Sequence, residues 1–477
     1  MNAVLSPTDS TTIVGSGKRR GFETQDRACD PVELRMTGRP PAWLRGSLLL
    51  NGPAVWDLAQ GRYAHWFDGL ALLHRVQIDG ERVRYHSRFL DSEDARLSRA
   101  RGRSELGGFD TPVAGGLLSR IWHLTNPRRT DNDAVVLSRC DGQWLAHTES
   151  DRVHRIDPDT LATQGELRWA DKLKLPLMAA HPCVDARGGW WNVGIGFGRV
   201  CEYVLVQCDR SAERRVKARI PIKRPGYLHA FAMTSTHAVV WDCAWRAHPL
   251  RFLFAGESYA RHFDWMPQGG SRLFTVRLSD GRVHAWDAPP LMVFHAVQAF
   301  DAGDDVVIDL CRGDVLPTED LAVQRLRDGV AVELPSARHT RFVLTPGHSS
   351  AREEALPGRL ELPQVNPRVA ARSKARYVWA AAASQPGVFF DRTLKLDHDT
   401  GQITLAGSDD RIALEPLFVP EPGASAEDAG VLLVNTLGDT DAGTRIRVLD
   451  ATTLDEMAAI EVPHVIPFGF HGAWHAA

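Results

Sequence analysis

Short runs of apolar and β-branched residues, joined by tight polar turns, recur from one end of the chain to the other, which is the sequence form of the β-hairpin. Runs over 71–78 and 83–90 flank Asp79-Gly80, runs over 134–139 and 144–148 flank Asp141-Gly142, and runs over 273–278 and 283–286 flank Asp280-Gly281. Further strands are predicted over 189–197, 200–208, 238–245, 305–311, 377–382, 394–406, 431–437 and 445–449. Helical periodicity is nearly absent.

Many short antiparallel strands without alternating helices predict an all-β protein and leave sandwiches, barrels and propellers as candidates. A single sandwich uses only about 100 residues, whereas four-stranded blades of about 40 to 50 residues each would take up most of the 477 residues present. Length therefore favours a propeller, although no literal blade repeat is visible. Two stretches break the hairpin rhythm. Within 91–130, rich in Arg, Ser and Gly, Leu117, Leu118, Ile121 and Trp122 fall at one-face helical spacing, and a second apolar cluster at 250–254 contains Phe252 and Phe254. Both are expected to form a cap over the strands or to make peripheral contact with a membrane surface.

Composition narrows the class further. With 56 Lys and Arg against 59 Asp and Glu the formal net charge is −3, which argues against a general nucleic-acid binder. Hydrophobic residues at 44% can fill a large core and exclude a disordered chain. No run approaches the roughly 18 apolar residues of a membrane span. The Ser/Thr-rich start places Lys18-Arg19-Arg20 after its weakly apolar part, the reverse of a secretory signal. The seven cysteines are scattered without a Cys-x-x-Cys pair, as expected of buried reduced thiols. The expected organisation is a flexible arm over 1–30 followed by one domain over 31–477, in a cytoplasmic protein with peripheral membrane contact.

Among 19 histidines, four stand beside aromatic residues at expected strand starts or loop ends: His181 in Ala-Ala-His-Pro, His229 in Tyr-Leu-His-Ala-Phe, His295 in Val-Phe-His-Ala-Val and His471 in Gly-Phe-His-Gly-Ala-Trp. Separations of 48, 66 and 176 residues are far too long for a zinc finger or a helical His-x-x-x-His site. Only a radial or barrel-like fold would bring such positions to one centre.

The run from His65 to His74, His-Trp-Phe-Asp-Gly-Leu-Ala-Leu-Leu-His, resembles the signature of the carotenoid cleavage oxygenases, and Leu49-Leu50-Asn51-Gly52-Pro53 ahead of it resembles their opening strand. Ser87-Arg88-Phe89-Leu90, Ser104-Glu105-Leu106-Gly107, Thr130-Asp131-Asn132 and Thr148-Glu149 continue the resemblance in order, closest to the branch holding the animal β-carotene oxygenases. It extends from about residue 35 to 475. The resemblance implies a seven-bladed β-propeller with a helical and loop cap, and one Fe(II) on its axis held by His181, His229, His295 and His471. It further implies that Glu149, Glu361 and Glu415 stand behind His229, His295 and His471, leaving His181 without a carboxylate. Phe67, Phe294, Phe468, Phe470 and Trp474 flank these motifs and are candidates for the wall of a substrate tunnel.

Imidazole suits Fe(II), and four neutral nitrogens leave two positions of an octahedron open. Carboxylates accepting the far ring N–H would fix the tautomer and supply negative charge. The implied activity is oxidative cleavage of one C=C bond of a carotenoid or apocarotenoid by O2 to give two carbonyl products. Departures from the family pattern, Leu50 where Arg is common and Gln298-Ala299-Phe300-Asp301 where Asn-Ala-Tyr-Glu is common, touch no expected ligand. Alternatives are stilbene-type alkene cleavage, retinoid isomerisation at the same iron, and a non-catalytic binding propeller. The first is disfavoured because no Tyr or Lys occurs from His86 to Asp171 to hold a phenol. A zinc hydrolase fares worse, because catalytic zinc usually keeps three protein ligands and a water.

Overall fold

The computed structural model describes residues 16–114, 129–185, 189–209, 211–248, 251, 257–313, 321–329, 337–385, 389–408, 410–440 and 443–477. The predicted hairpins form, with turn geometry that follows from which residue adopts positive φ. At Asp141-Gly142 both central residues do so, at 48° and 84°, the pattern of a type I′ turn. Between Leu70–Asp79 and Arg82–Phe89 the central pair is Gly80-Glu81, and only the glycine has positive φ, as in a type II′ turn. The run over 394–406 is two strands, Arg392–Asp397 and Ile403–Gly407, because the Asp399-Thr400-Gly401 segment makes a turn closed onto Asp397.

The strands group into seven antiparallel blades. Numbered in chain order from the blade that begins with Arg45–Val55, the second to sixth are separate sheets: Val136–Cys140 through Thr163–Glu166, Leu177–Met178 through Arg214–Ile222, Ala232–Met233 through Val283–Ala288, Met292–Ala302 through Arg352–Arg359, and Glu361–Gln364 through Ile403–Gly407. A nine-stranded sheet makes the seventh and first blades, joined at their outer edges by Val32–Gly38, which pairs with both Glu456–Glu461 and Arg82–Phe89. One of these two runs from Arg411–Pro420 to Glu456–Glu461. The other takes Arg45–Val55, Leu70–Asp79 and Arg82–Phe89 from near the start of the chain and His471–Ala476 from its end. Pairing of the first and last blade strands, with Asn51 opposite His471, closes the ring.

Middle strands such as Trp190–Gly196 and Gly430–Gly438 are buried on both faces and read as short continuous apolar runs, whereas outer strands such as Arg214–Ile222 and Arg352–Arg359 keep one face in solvent. Neighbouring blades share compact apolar clusters all the way round. Leu73 and Ala71 pack with Trp144 and Ile156, Tyr203 and Ile195 with Val240 and Phe274, Trp241 and Leu273 with Ile308 and Phe342, Cys311 with Val378 and Leu394, Trp379 with Phe418 and Leu432, and Val431 and Ile446 with Leu48 and Val76. Trp190 of the third blade stacks on His147 of the second. Closure at the axis is tight: a Cβ on Gly52 would lie 2.4 Å from the Cα of Gly469, so only glycine lets the returning chain lie against the first blade.

Helical periodicity is nearly absent from the sequence, yet among the described residues two α-helices longer than the four-residue Ser16–Arg19 stand beside the strands, the first of them inside the 91–130 stretch expected to form a cap. Glu93–Arg101 is capped by Ser92, whose Oγ accepts from the Ala95 N–H at 3.0 Å, and stops at Gly102 with φ 67°. It buries Asp94 and Ser98 with Ala95, and Asp94 accepts hydrogen bonds from Ser98 and Thr130, so the inward face is polar and gives no apolar period. The second is Val323–Asp328. Among the described residues no helix is long and apolar enough to cross a membrane. Leu117, Leu118, Ile121, Trp122, Phe252 and Phe254 lie outside the described residues.

The boundary expected at residue 30 does not separate packed from free chain. Phe22 is 1% exposed and meets Phe468, Phe389 and Trp66 edge-on, and the Gln25 N–H donates to the Ala54 carbonyl at 2.8 Å. Phe468, expected in a tunnel wall, is instead fully buried in this cluster. Phe468→Ala is expected to lower the unfolding free energy by about 3–5 kcal/mol, read as an earlier urea midpoint at unchanged slope.

Candidate metal centre

The inner ends of four blades carry the four singled-out histidines to one place. His181 lies between Leu177–Met178 and Cys183–Val184, His229 just ahead of Ala232–Met233, His295 inside Met292–Ala302, and His471 at the start of His471–Ala476. His295 sits where the strand register slips between Val293 and Ala296, and Glu415 where it slips between Ala413 and Pro416. Such irregularities re-aim a side chain out of the alternating pattern. Backbone N–H groups of Ala180 and His181 donate to the His229 carbonyl at 2.9 and 3.3 Å, which locks two of the four to each other.

One nitrogen from each of the four rings lies within 4.8 Å of the others. Behind three of them the expected carboxylates are in place: His229 Nδ1 is 2.6 Å from Glu149, His295 Nδ1 2.6 Å from Glu361, and His471 Nδ1 2.8 Å from Glu415. A neutral imidazole bonded to a carboxylate through Nδ1 must donate its proton there, so Nε2 is a bare lone pair. With both rings in that neutral form, His295 Nε2 and His471 Nε2 face each other as lone pairs at 3.2 Å. His181 Nε2 is buried without a hydrogen-bond partner among the described residues. Burial, and after it the neighbouring histidines, hold the pKa values of His181 and His229 well below the usual imidazole value, so both rings are neutral.

Converging lone pairs with no donor repel one another unless a cation sits among them, and four neutral nitrogens are the donor set of a transition metal that favours imidazole. The carboxylates are held as firmly as the rings. Glu415 also accepts from the Gly472 N–H at 2.7 Å and from the Gln364 amide at 2.9 Å, and Glu361 accepts from the Leu362 N–H at 3.1 Å. Glu149 accepts the Tyr227 hydroxyl. Burial pushes the Glu149 carboxyl up to about 8, against the lowering effect of the Tyr227 hydrogen bond, and a nearby dication would draw it back down.

Aromatic side chains cover the centre. Phe294 stands edge-on to His229 at 5.1 Å, Phe67 edge-on to Phe294 at 6.1 Å, and Phe470 edge-on to Phe67 at 5.0 Å. These three of the five expected wall residues are brought together. Phe468 is in the core described above, and Trp474 is three positions after His471 on the same strand, so it faces the other side and packs between blades with Leu48 and Val76. Sequence reasoning missed Tyr227 and Phe109. Tyr227 lies two residues before His229 and its ring meets Phe294 at 5.7 Å. Phe109 meets Phe67 at 5.2 Å and Tyr259 at 6.0 Å, positioned because Asp68 accepts from its N–H at 2.5 Å. Tyr227 stands in the same short run that singled out His229, and its ring stacks on that imidazole at 6.2 Å; nothing local signals Phe109.

A ring of blades with four histidines converging on its axis defines a β-propeller with a donor set that fits a metal ion. The sequence profile described as retinal pigment epithelial membrane protein matches residues 21–476, and the chain belongs to this family, that of the carotenoid cleavage oxygenases. Among its relatives, the chloroplastic carotenoid cleavage dioxygenase 8 homolog A of Oryza sativa subsp. japonica is 34% identical, over 93% of this chain and 85% of that protein. The mitochondrial carotenoid-cleaving dioxygenase of Mustela putorius furo is 27% identical over 93% of both. Among solved structures, cobalt-substituted Synechocystis apocarotenoid oxygenase superposes with a TM-score of 0.86 at 24% identity, covering 97% of this chain and 98% of that one, which shows the shared fold.

Glu415→Gln is expected to leave the protein folded and to weaken retention of a divalent metal by about 10- to 100-fold, measured as metal content after dialysis against a graded chelator. His295→Ala removes a nitrogen outright, and metal content in that variant is expected to fall to background; wild-type retention would exclude the residue from the centre.

Proposed function

We propose that His181, His229, His295 and His471 hold one Fe(II) per chain, and that the protein cleaves one C=C bond of a carotenoid or apocarotenoid with O2. The observation that carries the metal assignment is the 3.2 Å approach of two imidazole lone pairs whose far nitrogens are pinned by carboxylates. The activity is supported by the names of the relatives, which are carotenoid-cleaving enzymes of chloroplast and mitochondrion. Fe(II), when bound, supplies the redox chemistry through which dioxygen adds across an electron-rich alkene.

The protein's own part in that reaction is positional. Glu149, Glu361 and Glu415 hold the imidazole protons of His229, His295 and His471 on Nδ1 and keep those three Nε2 atoms turned to the axis. Phe67, Phe294 and Phe470 form an apolar surface along which a rigid polyene slides until one bond stands over the centre. The same surface excludes water from the products as they form. The overall reaction balances as one alkene and one O2 giving two carbonyl groups, with no external reductant. A substrate of this kind partitions into bilayers, and the proposal includes peripheral contact of Leu117, Leu118, Ile121, Trp122, Phe252 and Phe254 with the lipid that carries it.

Incubating the Fe(II)-loaded protein under 18O2 with β-carotene, an apocarotenal and a hydroxystilbene in separate reactions is expected to yield labelled carbonyl fragments from one of the first two. Mass spectrometry identifies the bond from the fragment masses. Uncleaved polyene in every reaction, with iron shown to be bound, would overturn the assignment.

A further inference from the structure

Away from the axis, between the fifth and sixth blades, two more imidazoles turn bare nitrogens toward a buried carboxylate. Gln298, Asp309 and Arg341 stand opposite one another across three neighbouring strands, and His339, two positions before Arg341, shares their face. His398 reaches the same place from the turn after Arg392–Asp397 of the next blade. One nitrogen of each ring and one oxygen of Asp309 lie within 4.8 Å of one another, with His398 Nε2 3.9 Å from Asp309 Oδ2.

A hydrogen bond fixes the tautomer of His339: its Nδ1 is 3.1 Å from the Pro357 carbonyl, which only accepts, so Nδ1 carries the proton and Nε2 is a lone pair. His398 Nδ1 stands 2.9 Å from the Ala375 carbonyl and 3.1 Å from the Gln298 amide nitrogen, and when it donates to the carbonyl its Nε2 is a lone pair as well. Neither Nε2 has a hydrogen-bond partner among the described residues, although His339 is 1% exposed and the His398 side chain 2%. Burial lowers the pKa of His339 to about 4 and that of His398 as well, so neither ring supplies a second proton. Two imidazole nitrogens thus stand beside a carboxylate with no donor from the described residues on either Nε2, and a backbone carbonyl behind each ring is the arrangement that orients histidine as a metal ligand.

We propose that His339, His398 and Asp309 form a second metal site, separate from the axial centre, that takes a zinc-type divalent ion through two imidazole nitrogens and one carboxylate oxygen. Donors about 2.0–2.1 Å from such an ion stand roughly 3.3 Å apart in a tetrahedron, so the 3.9 Å between His398 and Asp309 closes by about half an ångström on binding. Arg341 tempers the affinity. Its guanidinium donates to both oxygens of Asp309 at 2.7 and 2.8 Å, and Gln298 donates to Oδ2 at 2.8 Å, so the ion competes for a carboxylate already in use. The site is therefore an exchangeable one that empties before the axial centre.

The test loads metal-free full-length protein with zinc and counts equivalents during stepwise chelation. Expected are two equivalents per chain, the second released first and lost in both His339→Gln and His398→Gln, with the axial equivalent and, after iron loading, turnover retained. Crystals of the wild-type protein soaked in zinc should show an anomalous peak between the two Nε2 atoms, a readout that does not depend on how the variants fold. If the axial assignment is wrong, an equivalent sensitive to His398→Gln but not to His295→Ala still remains. Zinc binding insensitive to both glutamine substitutions, or no anomalous peak between the rings, overturns the proposal.

Discussion

Four imidazole lone pairs aimed at one point on the axis are the constraint on which the rest of this structure turns. Left alone they repel, and each ring must be held against that repulsion by something stiffer than its own rotamer preference. Three carboxylates do this by accepting a hydrogen bond from the Nδ1–H, and each carboxylate is in turn fixed by a second donor, namely Tyr227 for Glu149, the Leu362 N–H for Glu361, and the Gly472 N–H with Gln364 for Glu415. Among the described residues His181 has no carboxylate partner. Its position comes from the backbone, through the bonds of residues 180 and 181 to the His229 carbonyl.

That arrangement depends on ring closure. His471 reaches the axis only because His471–Ala476 pairs with Arg45–Val55, and the pairing holds only because Gly52 and Gly469 let two backbones touch. The aromatic cluster of Phe22, Trp66, Phe389 and Phe468 packs beside this seam, with the Trp66 indole donating to the Phe468 carbonyl at 2.8 Å. Stability at the seam and geometry at the centre are thus one problem. The apolar surface above the centre joins the same network, since Trp66 touches Phe67 and Phe470, and Phe67 meets Phe294 beside His229.

The two imidazole clusters differ in a way that follows from what backs them. On the axis the rings donate to carboxylates, which raises the basicity of the bound nitrogen and supplies compensating charge. Between the fifth and sixth blades the rings donate to neutral carbonyls, and the one carboxylate present is already paired with Arg341. The first arrangement suits a permanently held ion, the second an exchangeable one.

The local pattern was sufficient for the strands and for most of their turns, because a hairpin is specified by a few adjacent residues. It also singled out the four histidines and, through the family resemblance, the three glutamates behind them. It failed where a feature depends on distant partners. The Glu93–Arg101 helix buries Asp94 and Ser98 against Thr130, so it lacks the apolar period by which helices are read. Phe468 and Trp474 stand close in sequence to His471, but packing against Phe22 and strand parity turn them away from it. Phe109 joins the wall only because Asp68 holds its backbone, and His339 and His398 meet only because two blades do. Residue type and spacing determined which side chains could bind a metal; which of them share a centre, and which aromatic rings face it, was decided by closure of the ring, because that alone sets distances between residues hundreds of positions apart.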